Sequence, residues 1–443
     1  MTDSSMRFLP RLLLCAAVAA PLAAQTAPIP LIPLPREVVR GARVPLPGGL
    51  AVVTAGAAED VFTAHDLFES LGERRIRVDT TGGPGRYRVE LLRLGTPRAR
   101  DVLRDHKMVF DSAMTAEGYL LLADSAGAHV IGATGRGVFY GVQTLKQLIS
   151  GTAAAATLQA ATIRDWPAMK YRGFHDDLSR GPVPTLAYQK AQIRRFAAVK
   201  LNVYSPYYEH SLAYSANPLI APPRGAMTRQ DVRELIAYAA KYHIDVIPEQ
   251  EAFGHLHHVL KYELYSDLAE TPHGHVLAPG KPGSMALIKS WFAEIDSLFT
   301  SKFVHIGADE TVELGRGQTR ERVRTEGLGR VYLQFVRDIN TALKPNGKRL
   351  MFWADIAMES PHAGRHPAEG DGRRLLGLLV VQRLRSLPEA LCRCRHRNLG
   401  GPRGEQLESR LPVQCRCAAQ HPGIRARWPE ARGHGRAEHQ LGR

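Results

Sequence analysis

Hydrophobic positions between residues 185 and 353 follow two periods in alternation. Stretches with an apolar residue every three or four positions, the spacing of one helix face, run from about Thr185 to Val199 and again after Thr228, Ile288 and Leu328, with Thr228 a good N-cap. Short apolar runs typical of buried strands separate them: Tyr171–Phe174, Leu201–Tyr204, Ile244–Ile247, Phe303–Ile306 and Arg349–Trp353. This alternation predicts a parallel α/β sheet, either an open one or a barrel.

Acidic and histidine side chains follow the predicted strands, at the point where each strand ends. They are Asp176 and Asp177, Glu209 and His210, Glu249 to His255, Asp309 and Glu310, and Asp355. The carboxyl ends of barrel strands share one rim, where active sites of that architecture lie, whereas an open sheet concentrates its site at one switch point. Polar residues at four or five strand ends therefore favour a barrel.

The adjacent carboxylates Asp309 and Glu310 are the strongest candidates for chemistry. Neighbouring strand residues point to opposite faces, so both can serve one substrate only if the chain turns, which Gly307 and Ala308 make easy. Most Asp-Glu pairs are simply solvated, so the pair alone is weak evidence. Its position at a strand end indicates a catalytic site.

Several ordered motifs run from about Pro30 to about Ala357. They are Ile32-Pro33-Leu34-Pro35, Glu117-Gly118-Tyr119, Gly137-Val138-Phe139-Tyr140-Gly141-Val142-Gln143-Thr144-Leu145, Tyr171-Arg172-Gly173, Ile247-Pro248-Glu249, Phe253-Gly254-His255, the stretch from His305 to Glu310, and Trp353-Ala354-Asp355. In these motifs the chain resembles the family 20 glycoside hydrolases, the exo-acting β-N-acetylhexosaminidases. The resemblance implies a small α+β domain over residues 28–165 and a (β/α)8 TIM barrel over residues 168–360.

The resemblance also implies a reaction. It is retaining hydrolysis in which the nucleophile is the 2-acetamido oxygen of the substrate itself. Glu310 is implied to protonate the leaving oxygen and later to deprotonate water, while Asp309 orients the acetamido group. The substrate is an oligosaccharide or glycoconjugate with a terminal β-linked N-acetylglucosamine or N-acetylgalactosamine, a choice that the sequence leaves open. No metal and no cofactor are implied.

Four further residues are matched to substrate binding through the same resemblance. Arg172 matches an arginine that hydrogen-bonds hydroxyls of the terminal sugar, with a surface salt bridge as the alternative. His255 matches the histidine that lies against the catalytic acid. Trp353 is either part of the apolar wall under the sugar or a core residue. Glu209 follows the second strand where most members carry an aspartate, and we expect it to be the partner of His255.

The first 24 residues read as a signal peptide. Arg7 and Arg11 precede the apolar run Leu12–Ala20, and Ala24 before Gln25 is a plausible cleavage site. The run is too short for a membrane anchor. The sequence therefore predicts a periplasmic or secreted protein without a membrane span.

Residues 361–443 differ in composition from the rest of the chain. From Asp371 onward there are fifteen arginines and six acidic residues, in a chain of net charge +15, and no Lys, Thr, Phe or Tyr. Such charge raises nucleic-acid binding, but single-strand binders interleave aromatic with basic residues and this tail does not, so no nucleic-acid partner is expected. Four of the five cysteines fall here: Cys392, Cys394, Cys415 and Cys417. A zinc site with His396 and His421, or disulfides, would leave the composition unexplained.

A shift of reading frame accounts better for this tail. Residues 396–404 can be encoded so that the frame one nucleotide later reads Ile-Glu-Thr-Trp-Val-Ala-Pro-Gly, and residues 405–411 so that it reads Ser-Asn-Trp-Ser-Arg-Val-Tyr. Both resemble the late barrel of the family. We infer a frameshift between about Pro361 and Leu375, which leaves the barrel incomplete after strand five with unpaired edges on strands one and five. A non-catalytic or degenerate sugar-binding protein is therefore the alternative function.

Overall fold

The amino-terminal half folds into a mixed β-sheet covered by helices. In the computed structural model, which describes residues 29–80, 86–344, 347–353, 355–359 and 379–381, this half contains eight strands and three α-helices. The strands are β1 (Glu37–Pro45), β2 (Leu50–Thr54), β3 (Val78–Asp79), β4 (Tyr87–Arg93), β5 (Tyr119–Ala123), β6 (Ala128–Gly132), β7 (Ile149–Ser150) and β8 (Thr157–Asp165). The helices are α1 (Ala58–Gly72), α2 (Pro97–Asp105) and α3 (Gly135–Leu148). The sheet order is β1-β8-β5-β6-β4-β2-β3, and β7 pairs with β8.

Both faces of this sheet are buried, as the central strand β5 illustrates. Tyr119 and Leu121 pack into the main core with residues of α1 and α3. Leu120 and Leu122 point the other way and pack against residues of α2 in a smaller core. Successive strand side chains point to opposite faces, so a strand in which every residue is buried requires cover on both sides.

The second half alternates parallel strands with helices. Its strands are β9 (Gly173–Asp177), β10 (Val203–Tyr208), β11 (Asp245–Val246), β12 (Glu249–Gln250), β13 (Phe303–His305), β14 (Arg349–Trp353) and β15 (Leu379–Val381). Its helices are α4 (Leu186–Ala198), α5 (Arg229–Lys241), α6 (His257–Leu260), α7 (Glu263–Ser266), α8 (Pro282–Leu298), α9 (Arg320–Glu326), α10 (Leu328–Leu343) and α11 (Asp355–Glu359). Each strand pairs in parallel with its neighbours. The predicted order of a TIM barrel is confirmed over these elements.

The predicted helix starts are confirmed where a side chain caps the backbone. Thr228 accepts the backbone N–H of Asp231 through its hydroxyl, while the Asp231 carboxylate accepts the backbone N–H of Thr228, which is a capping box. Thr185 likewise accepts the backbone N–H of Tyr188 at the start of α4. Capping satisfies N–H groups that the first helical turn leaves without partners.

Two strand predictions need correction. The first barrel strand runs from Gly173 to Asp177, so it starts two residues later than Tyr171 and continues to the acidic pair. The third strand is divided into β11 and β12, with Pro248 between the two pieces. Proline has no backbone N–H to donate, which interrupts a ladder of strand hydrogen bonds at that residue.

The expectation that β14 has an unpaired edge is also wrong. Residues 379–381, within the segment assigned to the out-of-frame tail, form β15 and pair in parallel with Met351, Phe352 and Trp353 of β14. The sequence Leu379-Val380-Val381 is apolar and partly β-branched, a composition that favours strands regardless of how it arose. Within the described residues the parallel sheet therefore continues to a sixth strand position.

A buried ion pair joins the amino-terminal sheet to the barrel. Lys200, which follows α4, directs its Nζ to Asp165 Oδ2 at 3.0 Å and to the Tyr119 hydroxyl at 2.8 Å. Burial lowers the pKa of Lys200, and the neighbouring Asp165 opposes that shift. Because both charged groups are nearly fully buried, the pair fixes how these two sheets meet.

Two predicted features lie outside the described residues. They are the signal peptide of residues 1–24 and the cysteines and histidines of the tail. In the part of the chain that the structure describes, no helix is long and apolar enough to cross a membrane.

Candidate active site

The turn after β13 separates the two adjacent carboxylates. Gly307, Ala308 and Glu310 have φ values of +64°, +71° and +49°, the left-handed region that non-glycine residues rarely adopt. This left-handed backbone, which the Gly307-Ala308 sequence makes easy, gives the two adjacent side chains different surroundings. Asp309 is carried inward, with 1% of its side chain exposed, and Glu310 outward, with 57% exposed.

His255 lies against both carboxylates. Its Nε2 is 3.6 Å from Asp309 Oδ2 and 3.5 Å from Glu310 Oε2, while its Nδ1 lies 3.3 Å from a guanidinium nitrogen of Arg180. A neutral imidazole with its proton on Nε2 suits both sets of neighbours. Its Nε2–H then faces the two carboxylates, and its Nδ1 accepts a hydrogen bond from Arg180. Burial lowers the pKa of His255, but the nearby carboxylate of Asp309 raises it more, and the net shift is upward.

Two further carboxyl groups, those of Glu251 and Asp355, accept backbone N–H groups of the segment after β13. Glu251, fully buried, accepts the backbone N–H of Ala308 through Oε2 at 3.2 Å. Burial, followed by the negative charges of Asp309 and Glu249, raises the pKa of Glu251 far above its ordinary value. The burial and the neighbouring negative charges therefore favour the protonated form of Glu251. Asp355 accepts the backbone N–H of Glu310 at 2.9 Å, and burial raises its pKa as well.

Arg180 organises the rim between β9 and β10. Its guanidinium contacts Asp177 Oδ2 at 2.6 Å, Glu209 Oε1 at 3.1 Å and the Tyr207 hydroxyl at 3.3 Å, and it stacks over the Tyr207 ring. Its contact with His255 completes a bridge from β9 to the carboxylates. The sequence reasoning missed Arg180, although it lies only three residues beyond the strand-end acid Asp177.

The predicted pairing of Glu209 with His255 is corrected by this geometry. Glu209 Oε1 accepts from the Tyr207 hydroxyl at 2.9 Å and pairs with Arg180. Arg180 lies between Glu209 and His255, so Glu209 acts on the histidine only through its charge, which raises the pKa of His255. An arginine between two acceptors is not visible in the spacing of residues along the chain.

Both domains of the chain match family profiles from a single family. Residues 28–166 match "Glycosyl hydrolase family 20, domain 2", and residues 169–367 match "Glycosyl hydrolase family 20, catalytic domain". The chain belongs to glycosyl hydrolase family 20. The resemblance drawn from the sequence motifs is thereby confirmed.

Curated relatives of this family 20 chain carry related names. A β-hexosaminidase of Porphyromonas gingivalis is 28% identical over 281 residues, which cover 54% of this chain and 36% of the relative. A lacto-N-biosidase of Bifidobacterium bifidum is 28% identical over 274 residues, covering 57% of this chain and 24% of the relative. The chain thus spans well under half the length of these two relatives.

Solved structures share the fold of the family 20 chain. The β-N-acetylhexosaminidase of Streptomyces coelicolor A3(2) superposes with a TM-score of 0.61 at 22% identity, covering 79% of this chain and 69% of that one. The β-N-acetylhexosaminidase of Bacteroides fragilis gives a TM-score of 0.60 at 19% identity, with 80% and 70% covered. At these identities the likeness establishes the architecture alone.

Arg172 of the family 20 chain does not lie with the other predicted site residues. It precedes β9, at the amino end of the strand, whereas the acids lie beyond the carboxyl end. Its guanidinium donates to the carbonyls of Met169 and Lys200 and to Glu117 Oε2, at 2.8, 2.9 and 2.8 Å. The prediction that Arg172 binds sugar at the rim is therefore wrong. Arg172 ties the amino-terminal sheet to the base of the barrel.

Trp353 lies in the barrel interior, at the end of β14. Its indole Nε1 donates to Glu249 Oε1 at 2.6 Å, and its ring centroid is 4.9 Å from that of His305 and 5.5 Å from that of His175. Glu249 is fully buried and also contacts His175 Nε2 at 2.5 Å. With 8% of its surface exposed, Trp353 fits the core reading of the two that the sequence left open.

Proposed function

We propose that this chain is an exo-acting glycosidase that removes terminal β-linked N-acetylglucosamine or N-acetylgalactosamine with retention of configuration. One observation carries the proposal: His255 Nε2 lies within 3.6 Å of carboxylate oxygens of both Asp309 and Glu310 at the carboxyl end of barrel strand β13. Family membership and the names of the relatives support the same reaction class.

Glu310 suits the role of general acid and base. Its half-exposed carboxyl can reach the glycosidic oxygen of a sugar entering from the rim. His255 lies beside it, where its imidazole interacts electrostatically with the carboxyl group. In the first step Glu310 would protonate the leaving oxygen. In the second step it would take a proton from the incoming water.

Asp309 suits the role of orienting the 2-acetamido group. It is buried below Glu310, so it meets a substituent that points into the barrel rather than the leaving group. Protonated Glu251 can donate a hydrogen bond to Asp309, which fixes the carboxylate while leaving one net negative charge on the pair. That charge would stabilise the positive oxazolinium-like intermediate, and the attached nucleophile supplies proximity.

Arg180 is proposed in place of Arg172 as the residue that binds sugar hydroxyls. Its guanidinium lies at the rim with 45% of the side chain exposed, and its planar fork of donors suits paired hydroxyl oxygens. Asp177 at the end of β9 and Glu209 just after β10 hold it, so it is oriented before substrate enters.

A non-catalytic sugar-binding or degenerate protein is the second candidate. Among the described residues β9 pairs with β10 alone, and four of the five residues of β9 are exposed. A closed barrel would bury the inward-facing side of that strand. The exposure agrees with the inferred frameshift, which stays a prediction because only residues 379–381 of the tail from Asp371 onward are among the described residues.

Enzyme assays of four proteins discriminate these candidates. Hydrolysis of p-nitrophenyl N-acetyl-β-glucosaminide is measured for the chain as given, for a version with the reading frame restored between Pro361 and Leu375, and for Glu310→Gln in the active background. Glu326→Gln, an exposed helix residue paired with Arg322, is the matched control.

General acid-base catalysis contributes roughly 10²–10⁴-fold, so Glu310→Gln should lose at least about 10²-fold in kcat while Glu326→Gln loses none. Near-normal turnover by Glu310→Gln would remove Glu310 from the mechanism. Binding of N-acetylglucosamine by both forms without any turnover would favour the second candidate.

Export is proposed on the basis of residues 1–24 alone. Expression with a signal-processing host should give a mature amino terminus at Gln25, read by amino-terminal sequencing. An intact Met1 terminus on protein found with the cells would contradict it.

A further inference from the structure

Two loops meet beside the carboxylates and hold each other through two glutamates, one fully buried and one partly buried. The histidine loop (residues 251–281) connects β12 to α8 and carries His255. The acid loop (residues 306–319) connects β13 to α9 and carries Asp309 and Glu310. Each loop contributes one glutamate whose carboxylate accepts backbone N–H groups of the other.

Glu270 of the histidine loop anchors the far end of the acid loop. Its fully buried Oε1 accepts the backbone N–H groups of Gly315, Gly317 and Thr319 at 3.2, 3.0 and 3.0 Å, and the Thr319 hydroxyl at 2.7 Å. The backbone carbonyl of Glu270 accepts the N–H of Gln318 at 2.9 Å. Glu270 thus accepts five hydrogen bonds, and these fix residues 315–319, which follow Glu310 in the acid loop.

Glu313 of the acid loop makes the reciprocal contact. Its Oε2 accepts the backbone N–H groups of His275 and Val276 at 3.1 and 3.3 Å, and its Oε1 lies 3.7 Å from His275 Nε2. Gly274 keeps this contact open, because a Cβ there would overlap the Glu313 carboxylate. The negative charge of this carboxylate therefore favours an imidazole whose proton is on Nε2.

His275 passes this constraint to His255. Its Nδ1 accepts the backbone N–H of His255 at 3.2 Å, and its carbonyl accepts the N–H of Leu256 at 2.8 Å. Only the tautomer with the proton on Nε2 leaves Nδ1 free to accept. The charge of Glu313, 3.7 Å from Nε2, favours the same tautomer. Glu313 is thereby linked through the His275 ring to the backbone N–H of His255.

We propose that Glu313 and His275, with Glu270 as the reciprocal anchor, are positioning residues that hold His255 against Asp309 and Glu310. The need for them follows from the backbone: His255 has φ of +55° and Glu310 has φ of +49°. Conformations of that kind persist in non-glycine residues only where surrounding contacts enforce them. The inference rests on the proposed function for its kinetic consequence, but not for its structural one.

Glu313→Gln is the sharpest test because it changes polarity at nearly constant shape. If the amide oxygen keeps the two backbone N–H groups, the amide nitrogen faces His275 Nε2 and favours the tautomer protonated at Nδ1. A proton on His275 Nδ1 would repel the backbone N–H of His255, which donates to that nitrogen in wild type, and would displace His255. His275→Asn places an amide oxygen near the former Nδ1, so the double variant Glu313→Gln/His275→Asn should be rescued.

Nitrogen-15 NMR of labelled histidines reads the structural consequence without any turnover. In wild type we expect His275 protonated at Nε2 and a pKa of His255 above the ordinary imidazole value. In Glu313→Gln the proton of neutral His275 should move from Nε2 to Nδ1. The displaced His255 would then lie farther from Asp309 and Glu310, whose charges no longer offset the effects of burial and Arg180, so the pKa of His255 should fall. Glu209 adds only a distant charge. Glu326→Gln should match wild type.

Kinetics read the functional consequence. Misplacement of a catalytic group by about 1 Å can cost on the order of 10²-fold, so kcat should fall about tenfold to hundredfold in Glu313→Gln, with KM changed far less. The double variant should recover most of that loss. Glu270→Gln keeps an acceptor at Oε1 and should be milder than Glu313→Gln.

Unchanged His275 tautomer and unchanged pKa of His255 in a folded Glu313→Gln protein would overturn the proposal. If these NMR changes occur but no variant, including wild type, hydrolyses substrate, the positioning role stands and the proposed function fails. If Glu313→Gln does not fold, the same NMR comparison between His275→Asn and His275→Ala decides: only His275→Ala should lower the pKa of His255.

Discussion

Replacing Gly307 with alanine tests whether the turn after β13 is built around the carboxyl group of Glu251. A Cβ at this position would come closer than 3.0 Å to the carboxyl carbon and both carboxyl oxygens of Glu251, a separation that Cβ atoms do not reach. Glu251 is fully buried and holds Ala308 by a hydrogen bond, so it cannot move aside without losing that contact.

Two costs add in Gly307→Ala. The left-handed backbone at φ +64° costs alanine about 1–2 kcal/mol, and forcing a methyl group into a packed site costs about 1–3 kcal/mol more. The expected loss of stability is therefore about 2–5 kcal/mol. Gly56→Ala is the matched control, because Gly56 has φ +89° and no heavy atom within 4 Å of its hypothetical Cβ, so only the backbone cost applies.

Urea unfolding of wild type and both variants measures the difference. We expect Gly307→Ala to lose at least about 1 kcal/mol more than Gly56→Ala, since overpacking alone costs that much. The variant should also lose activity, because displaced Glu251 no longer fixes Asp309. Equal losses in the two variants would refute the idea that Glu251 fills the space below the turn.

Three further predictions concern charged groups around the barrel. Glu209→Gln removes a negative charge that raises the pKa of His255, so the limb of the pH-rate profile governed by His255 should move to lower pH; an unmoved profile would make Glu209 irrelevant to the site. Lys200→Met leaves the buried carboxylate of Asp165 without its cation and should lower the free energy of unfolding in urea by about 3–5 kcal/mol. The double variant Lys200→Met/Asp165→Asn should recover much of that stability, and additive losses would contradict a coupled pair. Arg172→Gln should lower Tm with KM unchanged, and Arg180→Gln should raise KM with Tm nearly unchanged; the reverse pattern would restore Arg172 to the sugar site.

Local signals explain the parts of the fold that the sequence predicted well. Thr228 and Asp231 are three residues apart and cap α5 by themselves, so the start of that helix needs no tertiary information. The left-handed backbone at Gly307 and Ala308 is similar, since a glycine ahead of the two acids makes such a conformation accessible. Apolar periodicity was sufficient to order the parallel strands.

The sequence did not reveal which of two arginines, Arg172 or Arg180, lies at the carboxyl end of the barrel. These arginines flank one five-residue strand, and they face opposite ends of the barrel. Arg172 precedes the strand and Arg180 follows it, so only Arg180 lies on the side of the strand-end acids, where we propose that it binds sugar hydroxyls. Motif resemblance drew attention to Arg172, while the signal for Arg180 was only its position just beyond a strand-end acid.

The different environments of Glu251 and Glu310 were equally inaccessible from the sequence. Both are glutamates near strand ends, yet Glu251 is fully buried while Glu310 is more than half exposed. Burial depends on what the loops pack against, and that follows from long-range contacts such as Glu251 with Ala308. The raised pKa of Glu251 could therefore not be anticipated from residue type or spacing.

The anomer first released from substrate tests the central claim most directly. Proton NMR can follow hydrolysis of p-nitrophenyl N-acetyl-β-glucosaminide before the free sugar mutarotates. Catalysis by Glu310 with the acetamido group as nucleophile, oriented by Asp309, predicts the β-anomer of N-acetylglucosamine as the first product. Initial release of the α-anomer would contradict the account.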